Sequence, residues 1–140
     1  MLSFKQAFAA VGMVAMLAGG TAVSTVAHAQ TYPAESGCSK IENPTQEQKG
    51  WCLAINRRMG NCLACHTMML NPWPEGFPPG GNIAPPLVSM KARFPDAEKL
   101  RAQIYDATAV NPGSRMPPFG KHKILSDEDI DAIVAFLMTI

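Results

Sequence analysis

Gly60-Asn61-Cys62-Leu63-Ala64-Cys65-His66-Thr67 is the stretch from which the rest of this 140-residue chain can be read. Cys62, Cys65 and His66 form a C-x-x-C-H string, the signature of covalent haem c attachment. The two thiols can add across the two vinyl groups of one porphyrin, which staples its edge to a single turn. The same turn brings the next side chain, His66, to the iron as proximal ligand. Two rival readings fit less well. A C-x-x-C pair can be a thioredoxin-like redox centre, but no β-α-β pattern surrounds this one. Zinc could use two thiolates and an imidazole. A histidine directly beside the second cysteine is poorly set for a tetrahedron, however, and beyond residue 29 the only other histidine is His122.

Residues 1–29 have the composition of a cleavable export signal. Lys5 precedes an apolar run from Ala7 to Ala18, and Ala27-His28-Ala29 makes an A-x-A cleavage site before Gln30. The run is short for a bilayer span, so the mature chain is expected in the periplasm with no membrane-spanning segment. Export agrees with covalent haem and permits disulfides. The full chain carries 12 Lys+Arg and 11 Asp+Glu, and loss of Lys5 leaves the remainder formally neutral. Such a balance provides no general basic field for nucleic acid or an anionic membrane. Residues 30–140 make one small domain, in which a core of side chains alone is marginal and a buried porphyrin would add apolar mass.

Residues 30–44 read as an irregular, polar arm and contain Cys38. Cys52 follows on the next element, and both cysteines are spare once Cys62 and Cys65 take haem. An even pair in an exported chain predicts a Cys38–Cys52 disulfide. It would close a loop of about 15 residues, worth roughly 3 kcal/mol in the chain-entropy picture. The domain proper, 45–140, opens with Thr45-x-x-Gln48, a capping-box start. A helix is expected from about Gln46 to about Met59, with Trp51, Cys52, Ile55 and Met59 on one face. A second is expected from Pro95-Asp96 to about Ala107, with Leu100 and Ile104 inward. A third starts at Ser126-x-x-Asp129 and buries Ile130, Ile133, Val134 and Leu137 against the first.

Two loops lie between the helices. Thr67 to Leu87 is rich in Pro and Gly, and a segment of that length without regular structure needs a reason. Wrapping a flat cofactor would supply one. Trp73, Phe77, Ile83 and Leu87 either line the haem or pack as ordinary core. A ligating histidine usually donates its second ring N–H to a fixed acceptor, and the carbonyl of Pro85 in Ala84-Pro85-Pro86-Leu87 suits that role. The later loop, Asn111-Pro112-Gly113-Ser114-Arg115-Met116-Pro117-Pro118-Phe119-Gly120, presents a methionine on a stiff proline frame. Met116 is therefore the candidate sixth ligand, a neutral thioether that favours Fe(II). His122 is the alternative.

The order of helix, C-x-x-C-H, proline-rich loop, helix, Met loop and terminal helix resembles the class I c-type cytochromes. Gly60 to His66, Gly81-Asn82-Ile83-Ala84-Pro85-Pro86-Leu87, Arg115-Met116-Pro117-Pro118-Phe119-Gly120-Lys121-His122 and Ile133-Val134-Ala135-Phe136-Leu137 together resemble the SoxX family. These are monohaem subunits of the SoxAX cytochromes of periplasmic sulfur oxidation. Ala84 stands where many relatives have glycine. The resemblance implies an all-α class I cytochrome c fold, with three to four helices around one covalently attached haem c. It implies Cys62 and Cys65 as thioether residues, with His66 and Met116 as axial ligands. It further implies an electron-transfer subunit of the SoxAX L-cysteine S-thiosulfotransferase, which conjugates thiosulfate to a cysteine of a SoxYZ-like carrier. The sulfur chemistry would occur on a SoxA-like partner, and the electrons would pass to a small electron acceptor protein. The other reading is a free, diffusible class I cytochrome c.

Overall fold

A computed structural model of the protein describes residues 32–140. The export signal expected over 1–29 lies outside the described residues. Among the described residues six helices run in order: α1 (Glu35–Cys38), α2 (Gln46–Ile55), α3 (Met90–Arg93), α4 (Ala97–Tyr105), α5 (Ala107–Val110) and α6 (Asp127–Leu137). A 3-10 turn, Cys62–Ala64, lies between α2 and α3. Among the described residues the extended pairing is an isolated parallel bridge of Met68 with Leu87.

The start of α2 follows from its capping box. The Thr45 hydroxyl accepts from the Gln48 N–H, and the Gln48 side chain accepts from the Thr45 N–H. Trp51, Ala54 and Ile55 are buried. The helix stops at Ile55, four residues before the expected end at Met59. Asn56 leaves the helical region (φ −65°, ψ 119°), and its carbonyl accepts from the N–H groups of Met59 and Asn61. Met59 therefore sits in a turn, half-buried, and not on the α2 stripe.

α6 begins at Ser126, whose hydroxyl accepts from the Asp129 N–H, with Asp127, Glu128 and Asp129 in its first turn. Ile130, Ile133, Val134 and Leu137 are all buried, and so are Ala132 and Phe136. The pairing of α2 with α6 is the most extensive between helices. At its closest point Gly50 faces the Ala132 carbonyl, and a Cβ at residue 50 would stand 1.9 Å from that oxygen. Only hydrogen fits there. Trp51, Phe136, Met90, Ile130 and Ile133 are the largest fully buried side chains. Each contributes about 1.5–3 kcal/mol of burial free energy.

Between α4 and α6, Arg101 bridges Asp127 and Asp131, and Lys49 of α2 reaches Asp129. The second helix of the sequence reading is broken at Asp106. Its carboxylate accepts from the Thr108 N–H and caps α5, so the chain restarts a helix where one continuous run to Ala107 was expected.

The arm over 30–44 is less irregular than its composition suggests, since it contains α1. Cys38 and Cys52 are disulfide-bonded with Cα atoms 5.7 Å apart, which ties α1 to α2. Upstream, the Tyr32 ring lies 5.6 Å from Trp51 and 5.2 Å from Phe136, and the Pro33 carbonyl accepts from Trp51 Nε1 at 2.7 Å. Trp73 and Phe77 pack on the same indole, each 6.0 Å away. Leu87 is buried, and Ile83 is exposed.

Candidate haem site

The C-x-x-C-H residues occupy one tight turn. Asn61 takes a left-handed conformation (φ 45°, ψ 36°) and its carbonyl accepts from the Ala64 N–H. Asparagine tolerates that region better than most side chains. The Cys62 carbonyl then accepts from the N–H groups of Cys65 and His66, at 3.2 and 2.9 Å. Both sulfurs and the imidazole thus project from a single turn of backbone. Cys65 is exposed and Cys62 half-buried, and neither takes part in the disulfide. Burial around the Cys62 sulfur pushes its thiol up to about 12, with the neighbouring Cys65 adding to the shift.

The loop from Thr67 to Leu87 folds back onto this turn. Gly81 N–H donates to the Leu63 carbonyl, Ala84 N–H to the Cys65 carbonyl and Leu87 N–H to the Thr67 carbonyl. The Thr67 hydroxyl donates to the Gly81 carbonyl at 2.8 Å. Contact is so close at Gly80 that a Cβ there would meet the His66 carbonyl oxygen at 2.0 Å. The loop ends by placing the Pro85 carbonyl 2.6 Å from His66 Nδ1. With Nδ1–H donated to that carbonyl, Nε2 is left as the lone-pair nitrogen, the tautomer a metal-ligating histidine requires.

Met116 stands on the later loop, half-buried against the core. Two side-chain turns shape its approach, since Asn111 Oδ1 accepts from the Gly113 N–H and Ser114 Oγ from the Met116 N–H. These Asx and Ser turns were readable from Asn111-x-Gly113 and Ser114-x-Met116 but did not enter the sequence reading. After Met116 the loop is anchored by buried Phe119, whose carbonyl accepts from the Ile124 and Leu125 N–H groups, and by Tyr105, whose carbonyl accepts from Gly120 and Lys121. Lys121 Nζ also meets Asp106 at 2.8 Å. His122, the alternative ligand, is exposed.

The structure thus brings Cys62, Cys65, His66 and the Pro85 carbonyl together, with Met116 on a separately braced loop. The donor chemistry fits haem c: two thiols and an oriented imidazole on one turn, and a thioether elsewhere. Among the described residues no three His, Cys, Asp or Glu side chains are grouped to hold a metal ion, so the zinc reading finds no cluster there. No helix among them is long and apolar enough to cross a membrane.

Residues 54–137 match the model of the family described as cytochrome C oxidase, cbb3-type, subunit III. The structure is similar to the crystal structure of SoxXA from P. pantotrophus, with 30% sequence identity and a TM-score of 0.57, covering 69% of this chain and 82% of that chain. Among curated proteins none matches it significantly.

Proposed function

Because this chain belongs to the cytochrome family that matches residues 54–137, and is a SoxX-like monohaem cytochrome of class I fold, we propose that its haem electron transfer serves thiosulfate oxidation. In this reading it is the periplasmic electron-transfer subunit of a SoxAX-type L-cysteine S-thiosulfotransferase. The partner is a SoxA-like cytochrome, the carrier SoxYZ-like, and the electrons leave through a small acceptor protein. Cys62 and Cys65 would hold one haem c covalently, and His66 and Met116 would ligate its iron.

The observation that carries the site is the 2.6 Å contact between His66 Nδ1 and the Pro85 carbonyl. Such a bond orients a ligating histidine, and His66 sits in the same turn as both thiols. Bound haem supplies a one-electron Fe(III)/Fe(II) couple. The residues of the chain then have separate tasks. Cys62 and Cys65 fix the porphyrin edge. Pro85 sets the plane and tautomer of His66. The Asn111 and Ser114 turns deliver Met116, whose neutral sulfur favours the reduced state. With His66 and Met116 both given to the iron, the chain would leave substrate no place to coordinate, which suits electron transfer and leaves the sulfur chemistry to a partner.

The reading is tested with the mature protein and with a Met116→Ala variant. The mature protein is expected to show the haemochrome spectrum of a single haem c with two thioether links. Met116→Ala is expected to alter its visible absorption and to let the reduced protein bind carbon monoxide. Mixed with thiosulfate and a SoxYZ-like carrier, the chain alone should give no conjugate, and conjugation should appear when the SoxA-like partner is added. A colourless mature protein, an unchanged Met116→Ala spectrum or turnover by the chain alone would overturn it. Native protein purified as a monomer, without a haem-bearing partner, would point instead to a free electron carrier.

A further inference from the structure

We propose that Arg93 is a positioning residue for His66, acting through the diproline turn whose carbonyl holds the imidazole. The inference rests on His66 being the proximal ligand. Ala84 N–H and Leu87 N–H pin the two ends of this turn, to the Cys65 carbonyl at 3.0 Å and the Thr67 carbonyl at 2.8 Å. Between them stand Pro85 and Pro86, which have no N–H to give. The peptide planes that matter for His66 thus cannot be anchored by donors of their own. They are anchored through their carbonyls. Pro85 O takes His66 Nδ1–H at 2.6 Å, and the next carbonyl, Pro86 O, takes Arg93 Nη1–H at 2.7 Å.

Arg93 is itself held in place. It ends α3, whose first residue, Met90, is almost fully buried and donates its N–H to the Ile140 carbonyl at 2.7 Å. Its Nη1 lies 3.5 Å from the Met90 sulfur, and its guanidinium carbon lies 6.0 Å from the Phe94 ring centroid. A planar donor braced on sulfur and an aromatic face loses little freedom when it bonds a carbonyl. Pro85 and Pro86 are both exposed. Without Arg93, water would compete for the Pro86 carbonyl, and the turn would gain freedom to rotate the Pro85 carbonyl away from Nδ1.

The test compares the full haem-loaded protein, oxidised, as wild type, R93A, R93Q, R93K and K91A. The readout is the exchange of the His66 Nδ1 proton with deuterated solvent, followed through its haem-shifted proton resonance, with the reduction potential measured in parallel. Exchange in R93A and R93Q is expected to be at least tenfold faster than in wild type, which is about 1.4 kcal/mol of hydrogen-bond free energy. The reduction potential is expected to shift with it. R93K keeps the charge and the stem and is expected to restore most of the protection. R93Q serves where R93A does not accumulate. K91A alters the same short helix away from the turn and is expected to match wild type. Exchange within twofold of wild type in R93A and R93Q would overturn the proposal, as would equal acceleration in K91A. A wild-type protein that binds haem but lacks an axial-histidine Nδ1 resonance would overturn the ligand reading of His66, and this proposal with it.

Discussion

At the scale of single residues, the chain uses polar side chains where the backbone has donors to satisfy and no regular structure to satisfy them. Asp106 is the clearest case outside the C-x-x-C-H turn. The Lys121 ammonium, and after it the Thr108 hydroxyl, hold its carboxyl down at about 2, against an ordinary 3.8. A carboxyl lowered on folding stabilises the fold above its ordinary value, and that contribution disappears as pH falls from about 4 towards 2. Asp106→Asn keeps a good helix cap but removes the charge facing Lys121. Thermal melts over this range are expected to show a lower melting temperature for Asp106→Asn at neutral pH. The two proteins should converge below pH 2, once the wild-type carboxyl is protonated. Equal melting temperatures at neutral pH would mean that the Lys121 contact, half exposed on the lysine side, stabilises nothing.

At the scale of elements, the crossing of α2 and α6 depends on a missing side chain. Gly50→Ala would raise intrinsic helix propensity by about 1 kcal/mol. The added methyl, however, must displace the Ala132 carbonyl from a helix that is hydrogen-bonded along its length. A net loss of about 1–3 kcal/mol is expected, as for other overpacked cores. Denaturant unfolding measures it, and a variant as stable as wild type would show that the helices can separate freely. The helices readable from sequence were those with two concordant signals. α2 and α6 each had a capping motif and an apolar stripe, and both starts fell where expected. The end of α2 escaped because Asn56 exits the helix through a backbone turn that no apolar pattern marks. α3 and α5 escaped because four residues are too few to show a period. The break at Asp106 was an unread cap signal, Asp106 followed by Thr108, inside an otherwise helical stretch. At the candidate site, the C-x-x-C-H string was legible because its spacing alone puts two thiols and an imidazole on one turn. The pairing of His66 with Pro85 was legible because two prolines announce a rigid turn. The part of Arg93 was not, since its contact with Pro86 depends on how α3, itself unforeseen, is placed.

At the scale of the whole molecule, a small domain is closed by its N-terminal arm. Replacing both Cys38 and Cys52 by serine is expected to cost about 3 kcal/mol, from a loop of about 15 residues. Guanidinium unfolding of the haem-loaded double variant measures the loss. Its visible spectrum should be unchanged, because the bridge joins α1 to α2 and not the haem turn. Unchanged stability would mean that Tyr32 and Pro33 hold the arm without help. The contacts of that arm converge on Trp51, where α6 contributes Phe136 and the proline-rich loop contributes Trp73 and Phe77. The chain has just two tryptophans, and they lie 6.0 Å apart in that cluster. Ultraviolet-excited emission therefore comes from one small region where arm, loop and both long helices meet. Its wavelength and intensity make a built-in optical gauge, one that changes when any of the four lets go.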